Sequence, residues 1–318
     1  MTDNTKPAVP AFSVVVPVYR CSGCLEGLCE RLERVLENIA ARYEIILVDD
    51  RSPDDAWLNI LSIQKQHKSV RGVRLSRNFG QHIAITAGLS AARGDVAVVL
   101  DCDLQDPPEL IADLYARLLE GHDYVVARRV KREHSTFRIM GAKAYFWLLS
   151  RLAGRKIDGS YGSYSILTRK VIDAFLSFSE RERHYLFILR WLGFNAGTVD
   201  YPHQTRVHGP SSYSLSSLVR HAIDGIFFQS TVLLTWIAVT GMVLAAAGGV
   251  FALGLIYRYF IMGAQPGWTS LAVLILISTG LILIGLGVVG IYIGKIFEQI
   301  KGRPLYVVDT ISESVREW

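Results

Sequence analysis

Charge is absent from two long stretches of this 318-residue chain. No Asp, Glu, Lys or Arg occurs from Gly225 to Tyr257, nor from Tyr259 to Gly294. Each run exceeds the roughly 20 apolar residues that cross a bilayer core. The second contains the turn signal Gly263-Ala264-Gln265-Pro266-Gly267, so two transmembrane helices are expected, at 228–257 and 269–294. Core helices of a soluble domain are the competing reading, which uncharged runs of this length disfavour. Also missing is an apolar leader, because the opening MTDNTKPAVPAF is polar and proline-containing; the long N-terminal part is therefore expected on the cytoplasmic side. Cysteine is scarce, with only Cys21, Cys24, Cys29 and Cys102. Cys21 and Cys24 form a C-x-x-C, but no second pair or histidine cluster completes a zinc site, and a cytoplasmic location keeps thiols reduced. No internal repeat or low-complexity tract is present.

Basic residues flank the apolar pair at Arg220 before it and at Lys295, Lys301 and Arg303 after it, with only Arg258 in the connector. By the positive-inside rule both termini are expected to face the cytoplasm, as in a multi-pass membrane protein with a tail over 295–318. The net charge of +5 suits a surface beside anionic lipid. No nucleic acid partner is expected of a chain anchored this way. Gly241, Gly248, Gly249 and Gly254 would permit close helix contacts in a homo-oligomer.

The first ~130 residues alternate between two periods, one of strands and one of helices. Strands are expected at 12–18, 43–48, 70–75, 96–100 and 124–127, and helices at 25–41, 54–66, 81–92 and 108–120. Such alternation implies crossover connections and an α/β fold with a mainly parallel, Rossmann-like sheet covered on both faces. Polar groups gather where the strands end: Tyr19, Asp49-Asp50, Ser76–Asn78, Asp101–Gln105 and Arg128-Arg129. Residues 137–154 mix aromatic and basic side chains and read as an interfacial helix, with a core helix as competitor. A juxtamembrane helix is expected at 211–226, which leaves a catalytic domain over 1–210.

The most informative stretch is Asp101–Leu110, DCDLQDPPEL. A buried strand ending in two carboxylates one residue apart presents Asp101 and Asp103 on one side, at the edge where open α/β sheets bind ligands. Two hard oxygen donors there suit Mg²⁺ or Mn²⁺ completed by substrate phosphate oxygens. A solvated Asp-rich turn is the bland alternative. A metal at a sheet edge beside a bilayer points to a diphosphate donor and a lipid acceptor, and Arg128 or Arg206 could add charge where the leaving group develops it.

These segments carry a resemblance. Val14–Tyr19, Ile45–Asp50, Leu75–Gly88 (LSRNFGQHIAITAG), Asp101–Glu109 and Lys295–Val308 (KIFEQIKGRPLYVV) are similar to the polyprenyl-phosphate glycosyltransferases of glycosyltransferase family 2. These include bactoprenol glucosyltransferases, undecaprenyl-phosphate aminoarabinose transferases and, more distantly, dolichyl-phosphate mannose synthases. The resemblance implies a GT-A fold followed by a two-helix transmembrane hairpin, a nucleotide-diphosphate sugar donor, Mg²⁺ or Mn²⁺, and inverting transfer to a polyprenyl phosphate. By matching positions it implies that Pro17, Tyr19, Val48 and Asp50 hold the nucleoside. Asp101, Cys102 (through its backbone), Asp103 and Gln105 would line the metal and diphosphate, Arg128 would face the diphosphate, and Arg206 would meet a phosphate.

Three positions depart from the family pattern. Arg20 and Cys21 follow Tyr19 where Asn-Glu is usual, Ser163 replaces the Asp of a Gly-Asp-aromatic motif, and Ser212 stands where a Lys is expected. A phosphate monoester with a second pKa of about 6 is already a nucleophile at neutral pH, so losing a base at 163 is tolerable, and Ser163 is expected to orient the acceptor. The expected activity is therefore transfer of a sugar to undecaprenyl phosphate for cell-envelope glycan modification. Another membrane lipid acceptor, or a catalytically silent sugar-nucleotide-binding scaffold, are the alternatives.

Overall fold

The computed structural model describes residues 11–40, 42–130, 161–181, 183–202, 232–262 and 267–313. The chain divides into two compact units, one carrying the sheet and the other the two long apolar helices. The expected interfacial segment 137–154, the juxtamembrane segment 211–226, Arg206 and Ser212 lie outside the described residues.

In the sheet unit the alternation of periods is realised as β1 (Phe12–Val18), α1 (Leu25–Ile39), β2 (Tyr43–Asp49), α2 (Ala56–Gln66), β3 (Val70–Leu75), α3 (Gln81–Ala91), β4 (Val96–Val99), α4 (Ile111–Leu119) and β5 (Tyr124–Arg129). There follow β6 (Tyr161–Thr168), α5 (Arg169–Leu176), α6 (Tyr185–Trp191), β7 (Ala196–Tyr201) and, far along the chain, β8 (Val308–Ser312). The strands form one sheet in the order β7-β5-β6-β4-β1-β2-β3-β8. The pairs β1–β2, β1–β4, β2–β3 and β5–β7 are parallel, whereas β6 runs antiparallel to β4 and β5, and β8 antiparallel to β3.

β1 is buried from end to end because both faces are covered. Phe12, Val14, Val16 and Val18 pack with Leu25, Leu28, Leu32 and Ile60 of α1 and α2. Val15 points the other way, among Ile46, Val48, Val73, Ala84 and Ile85. The second layer is tight: a Cβ on Gly88 of α3 would lie 2.2 Å from Val15 Cγ1, so only glycine lets α3 approach this closely.

The segment after 295, expected as a tail, carries its helix on to Ile300 and then supplies β8 at the edge of the sheet. Ser312 and the Glu313 carbonyl engage Gln64 of α2, and the Glu313 carboxylate meets Arg71 at 3.1 Å and Arg93 at 3.0 Å. β8 in this way covers the edge of β3 and becomes the outer strand of the sheet itself.

The second unit contains α7 (Val232–Met262) and α8 (Trp268–Ile300). Among the described residues one helical stretch, Ile277–Ile300, is long and apolar enough to cross a membrane; the apolar stretch found in α7, Val239–Phe251, is shorter. The two helices approach at Gly285, where a Cβ would stand 3.5 Å from Ile237 Cγ2.

Candidate active site

The carboxyl ends of β1, β2 and β4 lie side by side, and their loops carry the non-glycine left-handed backbone among the described residues. Arg20, Arg51 and Leu104, with φ of 54°, 53° and 57°, are the non-glycine residues with positive φ among those described. One follows each of these three strands. Non-glycine residues held in this region concentrate at ligand-binding sites.

The antiparallel pairing of β4 with β6 explains the centre of the site. Val99 stands opposite Ser165, and continuing that register by two residues brings Asp101 opposite Ser163. The Ser163 hydroxyl donates to Asp101 Oδ1 at 2.7 Å. Gln81, the first residue of α3, donates its side-chain amide to the same oxygen at 2.7 Å and lies 3.5 Å from the Ser163 hydroxyl. Burial, with the Asp106 and Asp103 carboxylates nearby, pushes the Asp101 carboxyl up to about 6, against the opposing pull of Ser163 and Arg129. Asp103 Oδ1 accepts the Gln105 backbone N–H at 3.2 Å, an Asx turn that folds the loop on itself.

Asp106 anchors that loop from inside. It is fully buried and accepts from Arg129 Nη2 at 3.0 Å through both oxygens, and from the Tyr201 hydroxyl. Arg129 Nε in turn donates to the Tyr201 oxygen at 2.9 Å. The adjacent Arg128 points to the opposite face of β5, as strand alternation requires, and its guanidinium pairs with Asp200 of β7 through two bonds of 2.7 Å.

The expected nucleoside residues occupy the neighbouring strand ends. Pro17 pairs in register with Val48, and Tyr19 is 43% exposed under the Arg20 guanidinium. Asp50 is buried, and its two oxygens accept the backbone N–H groups of Phe79 (2.7 Å) and Gly80 (2.8 Å), which ties β2 to the start of α3. Gly80, with φ of 96°, makes the turn into that helix. Burial raises the Asp50 carboxyl above its usual range. The buried Cys21 thiol donates to the Cys102 carbonyl at 2.9 Å, so the residue at the departed family position braces the acidic loop. All four cysteines are free.

Beside Gln81, His82 contacts the His184 ring (centroids 4.4 Å apart), which stacks on Phe187 at 3.9 Å. Burial and the neighbouring His82 press the His184 imidazole down to about 3.

Gln81, the Asp106–Arg129–Tyr201 network and the Cys21 bond were not singled out from the sequence. Of the residues that were, Asp101 and Ser163 meet directly and Asp103 lies near them, whereas Arg128 is engaged on another strand. Among the described residues no group of three or more His, Cys, Asp or Glu side chains is arranged to hold a metal alone. Two carboxylates at a half-buried edge instead fit Mg²⁺ or Mn²⁺, which take few protein carboxylates and complete their shell with water and phosphate.

The model of the family described as Glycosyl transferase family 2 matches residues 13–176, from β1 through α5. The chain belongs to glycosyl transferase family 2. An uncharacterized glycosyltransferase of Synechocystis is 35% identical over 302 residues, covering 94% of this chain and 95% of its own. An undecaprenyl-phosphate 4-deoxy-4-formamido-L-arabinose transferase of Klebsiella pneumoniae is 33% identical over 314 residues, covering 96% and 95%. The crystal structure of a mycobacterial protein, 19% identical, superposes with a TM-score of 0.50 over 69% of this chain and 74% of that one, a likeness of fold. This family 2 member is thus a glycosyltransferase with a GT-A fold and a mainly parallel sheet, and its relatives match along nearly their whole length.

Proposed function

We propose that the protein is a membrane-anchored, divalent-cation-dependent, inverting glycosyltransferase that moves a sugar from a nucleotide-diphosphate donor to undecaprenyl phosphate. The observation that carries this reading is the bond from the Ser163 hydroxyl to Asp101. A hydroxyl already donating to a carboxylate removes no proton from an acceptor. A sugar or glycerol hydroxyl would want such a base, whereas a lipid phosphate, largely a dianion at neutral pH, attacks without one. The relatives named for undecaprenyl phosphate support the same acceptor.

In this reading Pro17, Tyr19 and Val48 receive the nucleoside, Asp50 holds the Phe79–Gly80 turn in place behind it, and Asp101, Asp103 and Gln105 hold the cation. A Mg²⁺ or Mn²⁺ ion held by these residues would supply charge neutralisation for the nucleoside diphosphate leaving group. The acceptor oxygen attacks the anomeric carbon opposite the bond to that diphosphate; the new C–O bond forms as the old one breaks, and the configuration inverts. The chain supplies placement, with Asp106, Arg129 and Cys21 keeping the acidic loop set before substrate arrives. Arg206 would meet a phosphate, and Arg128 would need to leave Asp200 to face the donor.

The sheet topology supports two membrane crossings. β7 and β8 belong to one sheet, so the chain between them crosses a bilayer an even number of times. Ile277–Ile300 as one crossing calls for a second, and among the described residues between β7 and β8 the other long helix is α7. Both flanks of the pair then lie on the cytoplasmic side, where a nucleotide sugar is found.

The test is incubation of the purified full-length protein with Mn²⁺, undecaprenyl phosphate and a panel of sugar nucleotides, followed by lipid mass spectrometry. A product of undecaprenyl phosphate plus one sugar, cleaved by mild acid, is expected. A sugar on diacylglycerol only, or nucleotide binding without turnover, would sink the proposal.

A further inference from the structure

We propose that Gln81 is a positioning residue that decides how Asp101 meets the cation, and through it which cation the site prefers. The proposal rests on the divalent-cation reading above. Gln81 and Ser163 both direct a hydrogen to Oδ1 of Asp101, each at 2.7 Å. A carboxylate oxygen has about two acceptor directions, so the two donors saturate Oδ1. Oδ2 is the oxygen left for a cation, and Asp101 is held to monodentate ligation.

Gln81 is built to hold this position. It begins α3, directly after Gly80, whose N–H is clamped by Asp50 Oδ2 at 2.8 Å. The Gly80 carbonyl accepts the N–H groups of Ile83 and Ala84 at 3.0 Å, and the same helix packs on β1 at Gly88. Ser163 arrives from the opposite side on β6, fixed by the ladder with β4. The Asp101 carboxylate is therefore oriented from two rigid elements.

Monodentate ligation discriminates among hard cations. Mg²⁺ and Mn²⁺ favour octahedral shells, which a single oxygen from each carboxylate builds well, whereas Ca²⁺ takes six to eight ligands and readily uses a carboxylate through both oxygens. With Oδ1 occupied, the bidentate mode is closed to Ca²⁺ unless a hydrogen bond is given up. Gln81 thus acts on selectivity as well as affinity.

The experiment uses the full-length protein in detergent, with UDP, GDP and dTDP added in turn. Free Mn²⁺ is read by electron paramagnetic resonance, and Ca²⁺ by its displacement of bound Mn²⁺. Gln81→Met keeps the length of the side chain and removes the donor. It is expected to weaken Mn²⁺ binding about 5-fold, the worth of one hydrogen bond, and to narrow the preference for Mn²⁺ over Ca²⁺ by at least about 3-fold, with an unchanged melting temperature. Wild-type affinity and wild-type preference in Gln81→Met would overturn the proposal. Should that variant unfold, Ser163→Ala removes the other donor to the same oxygen and must shift the preference the same way; no shift there overturns it equally. Asp101→Asn separates this failure from a deeper one. If wild-type protein binds no Mn²⁺ with any nucleotide, or Asp101→Asn binds it as well as wild type, the cation reading fails and takes the Gln81 proposal with it.

Discussion

Arg129 reaches across from β5 to bridge both oxygens of Asp106 with a single nitrogen, 3.0 Å from each. Asp106 is completely buried, five residues beyond Asp101, so this pair fixes the far end of the acidic loop. Burial of a charge is costly unless it is matched, and breaking such a pair strands the partner. Arg128, one residue away, makes a similar-looking pair with Asp200 in the open, with side chains 42% and 46% exposed. The two arginines are chemically alike and structurally opposite.

Asp106→Asn and Arg129→Met are therefore each expected to destabilise the fold by about 3 kcal/mol. The combined Asp106→Leu/Arg129→Met variant should recover part of that loss, because it leaves no stranded charge. Arg128→Met should leave the melting temperature unchanged. Thermal denaturation in detergent checks all four, and equal effects at 128 and 129 would contradict the assignment.

Asp101→Asn and Asp103→Asn should each lower turnover at least about 100-fold, the scale on which a single stabilising contact at the reacting charge is worth, while the melting temperature holds. Excess Mn²⁺ should restore part of the rate if the loss is in cation affinity. A rate within a factor of about 3 of wild type in either variant, judged against this scale, would remove that residue from the site.

His184 sets an acid limit on stability. Its imidazole lies near 3 in the folded protein against 6.5 as the ordinary value. Between those two values the unfolded chain takes up a proton that the folded chain refuses, so stability falls as pH drops from 6.5 toward 3. The contribution reaches up to about 1.4 kcal/mol per pH unit. His184→Phe, which preserves stacking on Phe187, should flatten that slope between about pH 6 and 4, measured by chemical denaturation at each pH. An unaltered slope would rule out His184 as its source.

A chain ending at Arg303 loses β8 and exposes the edge of β3. Amides of Gly72–Leu75 should then exchange with solvent at least about 10-fold faster, and the protein should form higher-order species on size exclusion. Unchanged exchange at those amides would show that β8 contributes no pairing of consequence.

The half of the fold built from crossover units was legible because each element announces itself locally. β1 and β3 fall at Phe12–Val18 and Val70–Leu75, the limits that the apolar runs suggest, and the carboxylates of Asp101–Asp106 do follow a buried strand. What was hidden depends on pairing across long separations. The Asp101–Ser163 bond joins residues 62 apart through an antiparallel register that no local pattern encodes. β8 is a short, half-polar run beyond an apolar helix, and only its partner β3 makes it a strand. Strand alternation says that Arg128 and Arg129 face opposite ways, but which of them faces Asp106 depends on β6 and β7, whose places in the sheet a single sequence does not reveal.

Arg20, Arg51 and Leu104 bend the three loops at the rim through a left-handed backbone that each side chain resists by roughly 1 kcal/mol. Glycine at those points would make the protein hardier, yet slacken the rim. The entropy of shaping these loops is thereby settled during folding, before any donor arrives. Ligand affinity is then not spent on arranging them, and a sturdier engineered variant is expected to be a slower enzyme.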